Sequence, residues 1–256
     1  YWAGWSMVRA TLSLIETARS SGIDFRYFCL LSGDCYPLKK REEIEAIITE
    51  GGEEFVQVYR DLRLSQSWVV GRRHFYDMVF LNPRAERSQP DWFLPWNAAS
   101  ILAKKVFKVL ERERKYPFSF IPWKGNQFWC LSKECVTYVL SFLKKNSDFV
   151  RYHRTTFAPD EVALQTIVCQ SEFSKRLARR PLRFGIYKEI DSGREWPFDE
   201  MQRQAPNPPE RMEGPKILTL SDWKRIEISQ ALFARKFDEK KSAEVLEKID
   251  RERLGV

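Results

Sequence analysis

Two kinds of apolar pattern alternate along the chain. In "WSMVRATLSLIETARSSG" Val8, Leu12 and Ile15 fall at i, i+4 and i+7, Ser6 stands at a capping position and Gly22 follows, so the spacing predicts a helix. "FRYFCLL" is a short continuous apolar run, which predicts a buried strand broken by Ser32-Gly33-Asp34. After Pro37, "KKREEIEAIITEGG" predicts a short amphipathic helix closed by Gly51-Gly52, and "EEFVQVY" the next strand. Residues 61–98 are irregular, rich in aromatics and arginine. "AASILAKKVFKVL" then places Leu102, Val106 and Val109 on one helical face, "NQFWCL" reads as a strand, and Ser132 as the cap of a helix "KECVTYVLSFLKK". In "APDEVALQTIVCQS" Pro159 and Asp160 make a helix start, with Val162, Leu164 and Ile167 apolar. "PLRFGIY" predicts a strand, the proline-rich stretch 191–215 a long loop, "ILTL" a short strand, "SDWKRIEISQ" a helix capped at Ser221, and "SAEVLEKIDRERL" a last helix. Alternating helices and strands with no linker-like stretch or repeat predict one α/β domain over residues 1–256.

Composition narrows this only a little. Apolar residues make up 43% of the 256, which excludes a disordered chain and suffices for a proper core. Lys and Arg exceed Asp and Glu by 43 − 35 = 8. That excess suits an anionic partner (nucleic acid, a membrane surface or a phosphorylated small molecule) without choosing among them. The cations are spread out, as in "GRRHF", "KRLARR" and "RERLGV", which also fits a solvated basic surface. Nine tryptophans hint at carbohydrate handling, although tryptophan is more often core. Cys130 and Cys135 do not have zinc-knuckle spacing, and His74 and His153 are the only histidines. Cys29 and Cys130 sit in apolar strand-like runs and read as buried free thiols, favouring a reducing compartment. No run approaches the ~18 apolar residues of a membrane span. The opening residues from Tyr1 read as the interior of a domain, so an N-terminal part is expected to be missing.

Several chemistries lack their motif. There is no Gly-rich phosphate loop, no serine-nucleophile elbow, and no two aspartates separated by one residue, so a metal-centred mechanism is not expected. Asp160 and Glu161 admit two readings. Acids at a helix start cap it and suit its dipole, or one of them points into a cleft as a general base. Arg235 and Lys236, between Phe233 and Phe237, are likewise either snorkelling cations over a buried aromatic pair or a clamp on phosphate oxygens.

Five segments in order, "WAGWSMVRATLSLI", "FCLLSGDCYPLKK", "KGNQFWCLSKECVTYVL", "APDEVALQT" and "LTLSDW" followed by "ALFARKFD", run from Trp2 to Asp238. Together they resemble the core-2/I-branching β-1,6-N-acetylglucosaminyltransferase family, which also includes peptide O-xylosyltransferases. The resemblance implies a GT-A-like α/β domain with a central mixed sheet flanked by helices, inverting chemistry, a UDP-sugar donor and no essential metal or other cofactor. The family's catalytic glutamate maps to Glu161. Its diphosphate-binding basic residue maps to Lys236, with Arg235 beside it, and a second diphosphate contact to Lys216 or Arg211. "SWVVGRRHF" is the counterpart of an acceptor-contacting stretch, which makes Arg72 and Arg73 acceptor-side candidates. The chain departs from the family pattern at Cys35, where an Asp is frequent and Asp34 stands one place earlier, and in a tryptophan missing from "RFGIYKE".

The expected reaction follows. Glu161 takes a proton from a hydroxyl of a glycan or glycoconjugate acceptor, and that oxygen displaces UDP from a UDP-sugar, GlcNAc being the expected sugar. Lys236 and Arg235 stabilise the leaving diphosphate. The alternatives are a UDP-xylose donor, or a non-catalytic basic module binding anionic polymer or nucleic acid; the transferase reading needs no nucleic acid. The expected location is the cytoplasm, at the inner face of a bacterial membrane or in peripheral contact with it, with a membrane anchor outside this stretch left open.

Overall fold

A computed structural model of the protein describes residues 2–61, 69–75, 77, 114–197 and 212–255. The helix predicted from "AASILAKKVFKVL" and the candidate Arg211 lie outside these residues. In chain order the elements are α1 (Trp5–Ser20), β1 (Tyr27–Leu30), β2 (Cys35–Pro37), α2 (Arg41–Glu50), β3 (Phe55–Asp61) and β4 (Trp123–Ser132). There follow α3 (Lys133–Lys145), α4 (Ser147–His153), α5 (Ala163–Cys169), β5 (Arg183–Phe184), β6 (Ile186–Glu189) and β7 (Glu195–Pro197). The chain closes with β8 (Met212–Glu213), α6 (Trp223–Ile228), β9 (Phe233–Arg235) and α7 (Ala243–Ile249). The class is α/β, as expected. Among the described residues no helix is long and apolar enough to cross a membrane.

The residues gather into two compact units. The first comprises Tyr1–Phe25, Arg60–Gln127 and Glu134–Ser174. In it α1 buries Trp5, Val8, Thr11 and Ile15. Ser6 is not its cap: the N-cap is Gly4, and the Ser6 N–H donates to Asp77 Oδ1 at 2.9 Å. A carboxylate there satisfies an orphan donor and suits the helix dipole. Gly4 leaves room for it, because a Cβ at that position would collide with the Asp77 carboxylate. Phe118, Phe120, Phe142, Phe149 and Tyr152 form an aromatic cluster with Tyr116 and His153. The helix predicted across "APDEVALQTIVCQS" is two pieces, a 3-10 turn over Pro159–Glu161 and then α5. Asp160 makes no side-chain cap; it is 8% exposed and turned inward.

The second unit comprises Arg26–Tyr59, Phe128–Lys133 and Lys175–Val256. Three three-stranded sheets have the orders β1-β4-β3, β2-β9-β5 and β7-β6-β8. β1 runs antiparallel to the end of β4, which sets Cys29 opposite Cys130. These two cysteines form a disulfide, with Cα atoms 4.0 Å apart, so the free-thiol expectation is corrected and the argument for a reducing compartment built on it falls away. Cys29 is also exposed rather than buried. Ser132 immediately precedes α3. Its hydroxyl and N–H both go to the buried Glu54 carboxylate, at 2.6 and 2.8 Å, which Arg176 also pairs at 2.8 Å. The "PLRFGIY" run splits at Gly185 into β5 and β6, which belong to different sheets. "ILTL" forms no strand; the Leu218 N–H donates instead to the Lys236 carbonyl at 2.8 Å. The turn before α6 is closed by a capping box of Thr219 and Asp222, not by Ser221. Within the predicted loop over 191–215, β7 and β8 pair with the two sides of β6. Leu38, Phe184, Ile186, Leu218, Ile226, Ala234 and Phe237 share the main core of this unit with Val245 and Ile249 of α7.

Candidate active site

In the second unit "SGDCYPL" and "LFARKFD" become adjacent strands. β2 is antiparallel to β9 with Cys35 opposite Arg235, and β5 lies parallel on the other side of β9. Arg235 therefore sits at the end of a central strand, paired with Cys35 of β2 just past the last residue that β5 pairs. Its Nε donates to Asp34 Oδ1 at 2.8 Å, and Lys236 Nζ stands 4.0 Å from Asp34 Oδ2. Burial raises the Asp34 pKa, but the Ser32 hydroxyl, Arg235 and Lys236 outweigh it and hold the carboxyl below its ordinary value. The flanking aromatics have separate tasks. Phe237 is buried against Tyr36, while the Arg235 guanidinium lies 5.0 Å from the centre of the Phe128 ring. Arg183 of β5 stacks on the same ring at 4.3 Å. Its pKa is lowered by burial first and by the Arg235 charge after it. Among the described residues, Asp34 is the one carboxylate within ion-pair distance of Arg235 or Lys236, and the Lys236 side chain is 44% exposed.

In the first unit Glu161 ends the 3-10 turn. Its N–H donates to the Ala158 carbonyl at 2.9 Å, and Ala158 takes the left-handed conformation that redirects the chain into the turn. Lys124 Nζ lies 3.2 Å from Glu161 Oε2. The neighbouring Asp160 is pushed up to about 7, by burial first and then by the Glu161 charge. Its Oδ1 has no hydrogen-bond partner among the described residues. Two adjacent carboxyls are thus set apart by environment: one inward and without a partner at one oxygen, the other half-exposed and ion-paired.

The Core-2/I-Branching enzyme family model matches residues 1–227 of this chain. The chain belongs to the Core-2/I-Branching enzyme family. It is therefore a glycosyltransferase, with a sugar donor and a glycan acceptor as its general substrates. No curated protein matches the chain.

The match covers Arg72, Arg73, Glu161 and Lys216; Arg235 and Lys236 follow its end. Within this Core-2/I-Branching enzyme, Lys216 is not grouped with Arg235 and Lys236 as an open cation. Glu195 holds its ammonium at 2.8 Å and Asp222 at 2.9 Å, and Arg225 shares Glu195 at 2.8 Å. Arg72 and Arg73 are exposed, on a segment held by the His74 N–H to the Thr155 carbonyl at 2.8 Å. The anchor of that segment is Arg114. Its backbone N–H donates to the Gly71 carbonyl at 2.7 Å, and its guanidinium donates to the Val70, Tyr152 and Thr155 carbonyls and to the Thr155 and Thr156 hydroxyls. Burial lowers the Arg114 pKa, and the Arg73 charge adds to that. Sequence reasoning missed Lys124, Arg114 and Arg183. Lys124 stands inside a quoted family segment, but nothing in its local spacing marks it, and Arg114 hides in the charge run "ERERK".

Proposed function

We propose that this glycosyltransferase transfers a sugar, GlcNAc in the first instance, from a UDP-sugar to an acceptor hydroxyl with inversion and without an essential metal. Glu161 takes the proton of the hydroxyl, and the freed oxygen forms the new bond to the anomeric carbon as the bond to UDP breaks. Arg235 and Lys236 meet the negative charge arriving on the diphosphate. General-base help contributes about 10²–10⁴ in rate. Fixed cations aimed at the developing charge add about 3–4 kcal/mol. The supporting observation is that Arg235 and Lys236 share a single carboxylate and leave Lys236 open to solvent, as an anion site requires. Lys216 would first have to leave Glu195 and Asp222, so the reading rests on the other two cations. Arg72 and Arg73 are the acceptor-side contacts of the same reading.

A donor screen by UDP release tests it, with UDP-GlcNAc and UDP-xylose, each in the presence of EDTA and of manganese. Turnover persists in EDTA. Glu161→Gln keeps UDP affinity and loses turnover, whereas Lys236→Ala weakens UDP binding. If Glu161→Gln retains kcat within a few-fold of the parent, the base is misassigned. Activity abolished by EDTA and restored by manganese ends the metal-free scheme. Binding that follows polynucleotide and falls steeply with salt, without saturation by UDP, would favour a basic polymer-binding module instead.

A further inference from the structure

Lys124 is built into place with unusual care for a surface lysine. It stands on β4 between Trp123 and Asn126, and both of these are bolted to α5. The Trp123 N–H donates to Thr166 Oγ1 at 2.9 Å, and Gln165 Nε2 donates to the Asn126 carbonyl at 2.6 Å. Gln165 also donates to the Asp160 carbonyl at 3.1 Å, tying the same amide to the turn that carries Glu161. Gln165 and Thr166 are fully buried, so these ties are shielded from water. The lysine stem is mostly covered, with 17% of the side chain exposed, and the ammonium lies 5.6 Å from the centre of the Phe157 ring. Its charge acts on both adjacent carboxyls, through the Glu161 ion pair and on buried Asp160.

We propose that Lys124 is a positioning residue for the reaction. It holds Glu161 Oε2 so that Oε1 is presented to the acceptor hydroxyl. This rests on Glu161 being the base. Glu161 is about one-third exposed at its side chain, and Lys124 is its one ion-pair partner among the described residues. Without the lysine, the carboxylate swings through its rotamers, and the near-attack geometry is lost for most of the time. A lysine in this role does not touch donor or acceptor, so it leaves UDP binding alone.

The test uses Lys124→Met, which keeps the apolar stem, together with Lys124→Arg, Glu161→Gln and the Lys124→Met/Glu161→Gln double variant. UDP-GlcNAc is the donor, with a panel of disaccharides and water as acceptors. Expected for Lys124→Met is a kcat lower by about 10- to 100-fold, with UDP affinity within about two-fold of the parent. Lys124→Arg recovers most of kcat, and the double variant is no slower than Glu161→Gln alone, since the lysine acts through the glutamate. Carbodiimide labelling of Glu161, read by mass spectrometry, is several-fold faster in Lys124→Met, a readout that needs no turnover. If Lys124→Met proves poorly folded, Lys124→Gln takes its place under the same criteria. Glu161→Gln inactive with Lys124→Met near the parental kcat, multiplicative losses in the double variant, or unchanged labelling would each overturn the assignment. A Glu161→Gln variant that still turns over overturns the function proposed above instead.

Discussion

Two buried titrating groups of the first unit should pull stability in opposite directions as pH falls. His153 is fully buried in the aromatic cluster, with neither ring nitrogen hydrogen-bonded among the described residues. Burial lowers its pKa from 6.5 to about 3, with the Arg114 charge adding to the effect. Between those values the unfolded chain binds a proton that the native state refuses, so this contribution is complete above 6.5 and is lost as pH falls. From pH 7 to pH 5 the loss is about 2 kcal/mol at ~1.4 kcal/mol per unit. The size depends little on the native value once that lies well below 5. Asp160 has the reverse sign. Its pKa is raised from 3.8 to about 7, so between these values the native state binds the proton that the unfolded chain releases. The same acidification then stabilises by about 2 kcal/mol. In the parent protein the two nearly cancel. His153→Phe keeps the ring and removes the first effect, so it should gain about 2 kcal/mol on going from pH 7 to pH 5, relative to the parent. Asp160→Asn should lose about as much, which separates the two variants by about 4 kcal/mol in their pH response. Urea unfolding at both pH values measures this, and all other titrating groups drop out of the difference. If His153→Phe tracks the parent at both pH values, the imidazole is hydrated or paired and the reasoning from its burial is wrong.

Arg114→Met should destabilise the first unit by about 3 kcal/mol, because five guanidinium bonds go, although the Val70, Tyr152 and Thr155 carbonyls each keep another donor. Urea unfolding checks this, and Arg114→Lys should recover little, since an ammonium cannot reproduce the fork. Titration of thiols in the unreduced, denatured protein should find three rather than five, with Cys29 and Cys130 joined in one peptide by mass spectrometry.

The parts of the fold legible beforehand were those governed by local spacing. Val8 and Ile15 are buried on α1 as their period requires, and the strands at "EEFVQVY" and "NQFWC" stand where the apolar runs are. The misreadings share a cause: a partner far along the chain outcompeted a local one. Ser6 lost its capping role to Gly4 because Asp77 supplies a full carboxylate to the first turn. Cys29 and Cys130, separated by 101 residues, are joined because antiparallel pairing sets them directly opposite one another, which no run of apolar neighbours encodes. Arg235 and Lys236 were legible as a choice between surface and clamp. Their tie to Asp34 was not, although both segments had been singled out, because only strand pairing brings them together.

For Asp160 and Glu161, too, geometry that spacing cannot supply bears on the choice between the two readings. Two acids at a helix start can serve its dipole, but neither is the N-cap of α5, which is Val162. Asp160 makes no cap bond and turns into the interior, where burial favours its neutral form. A carboxyl raised to about 7 is only partly ionised at neutral pH and makes a weak partner for a helix dipole. Glu161 lies in a 3-10 turn rather than the first turn of α5, with one carboxylate oxygen, Oε2, paired to Lys124. Glu161 is the member of the pair that solvent reaches, and a base must meet a hydroxyl at the surface, which is why the proposed mechanism gives that role to Glu161 and not to its buried neighbour.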